Sequence, residues 1–293
     1  MRKRRRCLPS SGFRLSRSRH ERSSAIACRG LVIEAPQGFV VAEECRKAAW
    51  QHGYRRSLGQ QDGWARYGST TAKGDIHLAA GGASGPWYLA LDHLGVIAEL
   101  GLPPSDMPGP GQTRFAFGTL GELYRVLPRV YALAVSLPDA PLQSFLEKTR
   151  NLPRTTEAER LVLQRIGQEI FREGLMTYWG GRCPLTGISE PALLRASHIK
   201  PWARCESDAE RLDVHNGLLL SALWDAAFDK GLVTFEDDGT PRFAPGLSAE
   251  ARAALGWSDS LRLTAQHRAQ LAWHRENIFG VSAEAPHLSP PAV

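Results

Sequence analysis

The chain has 293 residues, of which 43% are hydrophobic and 23% charged, and its formal net charge is +6. That length accommodates two domains or one large one, the composition is that of a soluble globular protein, and no apolar run approaches the roughly 18–20 residues that a membrane span needs, so no membrane partner is expected. The charge is uneven: residues 1–30 hold ten Lys or Arg against one acid, Glu21, so the remainder sums to −3 and the pI of about 9.2 reports on the tail, not on the body.

Residues 1–35 read as a disordered basic tail, rich in Arg and Ser and poor in apolar residues. It lacks the apolar core of a secretory signal and superficially fits a transit peptide or a phosphate-binding arm. Residues 36–138 read as a small α+β domain. A helix is expected over 42–53, extended segments at 63–67, 75–80, 87–91 and 114–117, and a helical turn at 96–100. A Pro- and Gly-dense loop spans 102–111, and a helix over 119–137 should be kinked or split by Pro128. The run Gly63–Thr71 mixes Trp64, Arg66 and Tyr67 with hydroxyls, which suits contact with bases and equally suits an ordinary strand and turn. This domain is the candidate target reader.

Residues 139–182 read as a helical connector. Thr156 with Glu159 three residues on is a capping-box signature, and Leu163, Ile166, Ile170, Phe171, Leu175 and Tyr178 form a helical stripe that ends at Gly180–Gly181. Residues 183–280 carry the chemistry. A short strand or bend over 194–199 delivers His198, a polar turn at 213–216 presents Asn216, and 217–220 is apolar. Residues 222–229 favour a helix, which puts Asp225 and Asp229 one turn apart on a shared face. A hairpin around Asp238-Gly239 and helices over 249–255 and 264–279 follow, and 281–293 is a loose tail. A histidine base, an amide and a carboxylate so close in sequence can bind one divalent metal and cut a phosphodiester.

The order Ser-His198-Ile-Lys-Pro-Trp, then His-Asn216-Gly-Leu-Leu-Leu, then Phe-Asp229-Lys-Gly-Leu resembles the HNH motif of the ββα-metal nucleases. It is closest to the variety found in proteins described as restriction endonucleases. The expected fold class is therefore α+β, with the N-terminal domain, the connector and a C-terminal ββα-metal (HNH) nuclease domain.

The resemblance implies that His198 is the general base and that Asn216 fixes the loop and orients the base. It puts Asp225 where the family usually carries its last His, a metal ligand, with Asp229 as a further candidate at the metal. Carboxylates favour Mg²⁺ or Mn²⁺ over softer ions. Ser197 stands where many relatives carry an acid or a His, which leaves Asp213, His215, Asp229 or the substrate phosphate to complete the coordination.

No structural zinc is expected, because Cys183-Pro-Leu-Thr186 offers one thiolate and Cys205 stands alone. The five cysteines (Cys7, Cys28, Cys45, Cys183 and Cys205) are odd in number and scattered, which points to a reducing, cytoplasmic setting. Arg195, Lys200 and Arg204 flank the motif and are candidates to grip DNA phosphates, although solvated charges would look the same. Trp202 and Trp224 are expected in the core.

The function expected is that of a metal-dependent DNA endonuclease of a restriction or defence system. The alternative is a noncatalytic DNA-binding or regulatory protein with a decayed HNH fold, for which Ser197 is the best support. Homing and toxin-like nucleases are lesser options. Double-strand cutting with one site per chain would call for a homodimer.

Overall fold

Five strands of the N-terminal half pair in chain order as an antiparallel meander: β1 (Arg56–Gln61), β2 (Trp64–Gly68), β3 (Ile76–Ala80), β4 (Trp87–Leu91) and β5 (Thr113–Phe117). A computed structural model describes residues 33–153 and 155–280, so the basic tail up to residue 32 and the tail after residue 280 lie outside the described residues. One face of the sheet carries Tyr67, Ile76, Leu78, Trp87, Leu89 and Phe115. Helices α1 (Phe39–Gln51) and α3 (Leu120–Ser136) cover that face. The other face holds Trp64, Ala79, Tyr88 and Ala90 against Met107 and Ile33. With both faces covered, all five residues of β4 are buried, and Trp-Tyr-Leu-Ala-Leu needs no polar alternation.

Three expectations change here. β1 is absent from the sequence reading because Arg-Ser-Leu-Gly-Gln-Gln has no apolar period and all six residues are exposed. Its signal lies in the turn: Asp62 (φ 49°) and Gly63 (φ 80°) form the two-residue link to β2, a pairing that favours Asp-Gly. Trp64 and Tyr67 are only 3% and 6% exposed, so they are core residues and not stacking platforms, while Arg66 donates to Asp75 at 2.8 Å. Finally, α3 is not split at Pro128. Leu123, Leu127, Val130 and Leu133 are buried along it, and this packing holds the helix together although Pro128 offers Tyr124 no N–H. The helical turn expected at 96–100 is α2 (Leu94–Leu100).

The connector consists of α4 (Asp139–Thr149) and α5 (Glu157–Tyr178). The capping box forms as expected: Thr156 Oγ1 accepts the Glu159 N–H at 3.2 Å, and Glu159 Oε2 accepts the Thr156 N–H at 2.9 Å. α5 packs against α3 and α4 and also against the first two strands of the C-terminal unit. Those strands are β6 (Leu194–His198) and β7 (Gly217–Ser221), followed by α7 (Ala222–Asp229). Between the strands lie short 3-10 turns and α6 (Asp208–Leu212), an element not foreseen from sequence. Its signal was Ser207, whose hydroxyl accepts the Glu210 N–H at 3.2 Å as an N-cap. The hairpin β8 (Val233–Phe235) and β9 (Pro241–Phe243) and helices α8 (Ala249–Ala254) and α9 (Ala265–Asn277) complete the chain. Trp224 is buried and stacks on Phe235 with ring centroids 6.0 Å apart.

Two close approaches seat α5 on this unit. A Cβ on Gly167 would lie 2.4 Å from the Trp202 ring, and one on Gly217 would lie 2.4 Å from Phe171 and 2.8 Å from Leu175. Gly217→Ala must therefore displace Phe171, which stacks on His198. We expect it to cost about 1–3 kcal/mol in urea unfolding and to impair whatever His198 does; an unchanged midpoint would show that the interface yields freely.

Cys45, Cys183 and Cys205 are free and buried, and among the described residues no helix is long and apolar enough to cross a membrane.

Candidate active site

Antiparallel pairing of β6 with β7 sets His198 opposite Gly217 and Leu194 opposite Ser221. α7 begins where β7 ends and packs back on both strands. This ββα turn brings the end of β6 and one side of α7 to a cleft of about 370 Å³. Ser197, His198, Trp202, Asp225, Asp229 and Lys230 are among its lining residues.

The His198 ring is held on two sides. It stacks on Phe171 with centroids 3.8 Å apart and an interplanar angle of 15°, and it meets the Trp202 ring edge-on at 5.6 Å. Its Nε2 lies 2.9 Å from the carbonyl oxygen of Arg211. A carbonyl only accepts, so Nε2 carries the proton and Nδ1 keeps its lone pair. Among the described residues Nδ1 has no hydrogen-bond partner. Burial pushes the imidazole below its usual value, and the Arg211 carbonyl opposes this only in part. The ring is thus neutral at pH 7, in the tautomer that leaves Nδ1 free to take a proton.

Asn216 is fully buried behind the cleft. Its Oδ1 accepts the Lys200 N–H at 2.8 Å, and its Nδ2 donates toward the carbonyls of Lys200 (3.2 Å) and Glu210 (3.3 Å) and toward the Cys205 sulfur (3.3 Å). Glu210 directly precedes Arg211, whose carbonyl holds His198. The amide therefore fixes the backbone that orients the imidazole.

On α7, Asp225 and Asp229 both face this cleft. Ser197, itself 2% exposed, donates its hydroxyl to Asp225 Oδ1. Ser197 thus sets the rotamer of Asp225. Asp229 keeps contact with solvent, yet the protein around it and then the charge of Asp225 push its carboxyl up to about 6, with Lys230 pulling the other way.

Residues 183–236 match the HNH endonuclease family. This segment is an HNH module. No curated protein matches the chain.

The HNH module over residues 183–236 suggests nuclease chemistry on DNA. HNH nucleases in general use divalent metal ions. Among the described residues no three His, Cys, Asp or Glu side chains are grouped to cage an ion. Mg²⁺ does not need such a cage: one or two carboxylates with waters and substrate phosphates suffice. The paired carboxylates of Asp225 and Asp229, one of them reluctant to ionise beside the other, are a donor set that fits a hard cation. Of the groups that the sequence offered to complete the coordination, Asp213 and His215 are engaged elsewhere. His215 places Nδ1 2.8 Å from Asp213 Oδ1 and Nε2 2.7 Å from Glu99 Oε1 of α2, and neither residue lines the cleft.

None of the three flanking cations lines the cleft of the HNH module. Lys200 is committed elsewhere, its Nζ 2.8 Å from Glu210 Oε1 and 5.8 Å from the centre of the Trp273 ring. Arg195 is exposed and donates to the carbonyls of Ala192 and Leu194, and Arg204 is exposed. Among the described residues the cation at the cleft is Lys230, which the sequence reading passed over although it follows Asp229 directly. His274 of α9 also lines the cleft and had no local signal. It stacks on Phe228 at 4.0 Å, approaches Thr234 Oγ1 at 3.1 Å, and is pushed by burial down to about 4, so it is a neutral structural histidine.

Proposed function

We propose that the chain is a metal-dependent DNA endonuclease whose single active site is the cleft between β6 and α7. A neutral, clamped His198, whose Nδ1 has no hydrogen-bond partner among the described residues and whose cleft is also lined by two carboxylates, is the observation that carries this reading. His198 takes a proton from water as the water oxygen attacks phosphorus, and the bond from phosphorus to the 3′-oxygen breaks on the opposite side. Asp225 and Asp229 would hold Mg²⁺ or Mn²⁺, which supplies charge stabilisation for the phosphate and the departing oxygen. Ser197 keeps Asp225 aimed, and Lys230 offers a positive charge to the phosphate. The Ser197 hydroxyl, donated to Asp225, supports a working site over a decayed one.

A restriction or defence role is the fuller reading, in which the unit over residues 36–138 chooses the target and DNA is the partner. Double-strand cutting by one site per chain calls for a homodimer. Supercoiled plasmid, methylated and unmethylated, incubated with the full chain in Mg²⁺, Mn²⁺ or EDTA tests the proposal. Nicking in either metal but not in EDTA is expected; DNA binding without nicking in any condition would favour the noncatalytic reading.

The pH profile follows from the same groups. Asp229, pushed up to about 6, takes a proton as pH falls and loses its use as a ligand. At limiting Mg²⁺, cleavage should hold above pH 7 and fall through about pH 6, and raising Mg²⁺ should move that fall to lower pH because cation and proton compete. A profile indifferent to Mg²⁺ would remove Asp229 from the site.

A further inference from the structure

The residue next to Asn216 is held from the other half of the molecule. His215 is buried, with each ring nitrogen on a carboxylate: Nδ1 on Asp213 at 2.8 Å and Nε2 on Glu99 at 2.7 Å. A ring with two acceptors donates twice, so it is an imidazolium. Burial works against that charge, and the two carboxylates overcome it, raising the ring to about 9. Glu99 belongs to α2 and its side chain is 9% exposed. Its second oxygen accepts the Tyr178 hydroxyl of α5 at 2.8 Å and lies 3.8 Å from the Arg129 guanidinium of α3. From α9, His267 meets the His215 ring edge-on at 5.1 Å and is held neutral, its value lowered to about 4 by burial and then by His215. Among the described residues these five are the titratable groups in contact with His215 or with its partner Glu99.

The connection runs onward. Asn216 grips Glu210, and the carbonyl of Arg211 holds Nε2 of His198. We propose that Glu99 and His215 are a positioning pair that ties the N-terminal α+β unit to Asn216 and so keeps His198 in its working tautomer. This rests on the nuclease reading for its effect on rate but not for its effect on the ring. Both are positioning residues, since neither lines the cleft. The imidazolium's contribution is complete below its ordinary value of about 6.5 and fades as pH rises through about 9.

Glu99→Gln keeps the shape and removes the charge. In the full chain with ¹³C- and ¹⁵N-labelled histidine, it should bring the His215 titration down from about 9 toward the ordinary range and disturb the Nε2–H signature of His198. The turnover number for plasmid nicking should fall by about tenfold to a hundredfold at unchanged DNA affinity. A variant that melts earlier but keeps both the His198 signature and the turnover number would overturn the proposal. If the unsubstituted chain does not nick DNA, the nuclease reading fails, and the ring resonances still judge the pair. If Glu99→Gln does not fold, the unsubstituted chain carried through pH 9 decides: His198 must respond as His215 loses its proton, and a silent His198 refutes the coupling.

Discussion

His198→Ala is expected to slow DNA cleavage by about two to four orders of magnitude, the span a positioned general base supplies. The tautomer and the burial of the ring together give this expectation. Nε2 is committed to the Arg211 carbonyl, so Nδ1 is the nitrogen left to accept a proton, and burial keeps the ring neutral at pH 7. The substitution leaves β6 paired with β7 and the carboxylates in place, so DNA affinity and far-UV circular dichroism should match the unsubstituted chain. Single-turnover nicking in Mg²⁺ checks it. A variant that cuts at the original rate would take the base assignment away from this residue.

Asn216→Ala should be as inactive and, unlike His198→Ala, much less stable. The amide satisfies the Lys200 N–H and the Glu210 carbonyl in a fully buried position, and alanine leaves both without a partner. At about 1–3 kcal/mol for each buried group left unpaired, a loss near 3 kcal/mol is expected. For a protein of this size that lowers Tm by about 10 °C. Asn216→Asp separates shape from chemistry. It fills the same space but presents acceptors to the carbonyls of Lys200 and Glu210, so it should rescue neither activity nor Tm. Thermal melting beside nicking assays tests this, and an active aspartate variant would show that the amide protons are dispensable.

The sequence showed the ββα core because three signals coincide there: β6 is a short mixed segment stopped by Pro201 and β7 a short apolar one, α7 is a helix former, and the chemistry sits at their junctions. His198, Asn216, Asp225 and Asp229 fall where local geometry alone puts them, within one strand pair, the turn that enters its second strand and one helix. What lay beyond reach depends on contacts distant in the chain or on backbone atoms. The Arg211 carbonyl that selects the His198 tautomer is a backbone group and leaves no trace in residue identity. Glu99 meets His215 across 116 residues, and no local pattern joins them. Lys200 reads as a phosphate contact until Glu210, ten residues away on α6, is seen to hold it. Trp64 and Tyr67 look like a recognition surface when taken with their polar neighbours, but both faces of the sheet are covered and both rings are buried. β1 has no apolar period at all and is visible only through the turn that follows it.

We propose that a hard cation at Asp225 and Asp229 and the imidazole of His198 act as one nuclease site. It is tested most directly by the rate of plasmid nicking as a function of Mg²⁺ concentration, for the unsubstituted chain and for the Asp225→Ala/Asp229→Ala double variant. The unsubstituted chain should nick with a saturable dependence on Mg²⁺ and stop in EDTA, while the double variant binds DNA and stays silent at every concentration. Equal nicking by the two proteins, or full nicking by the unsubstituted chain in EDTA, would contradict it.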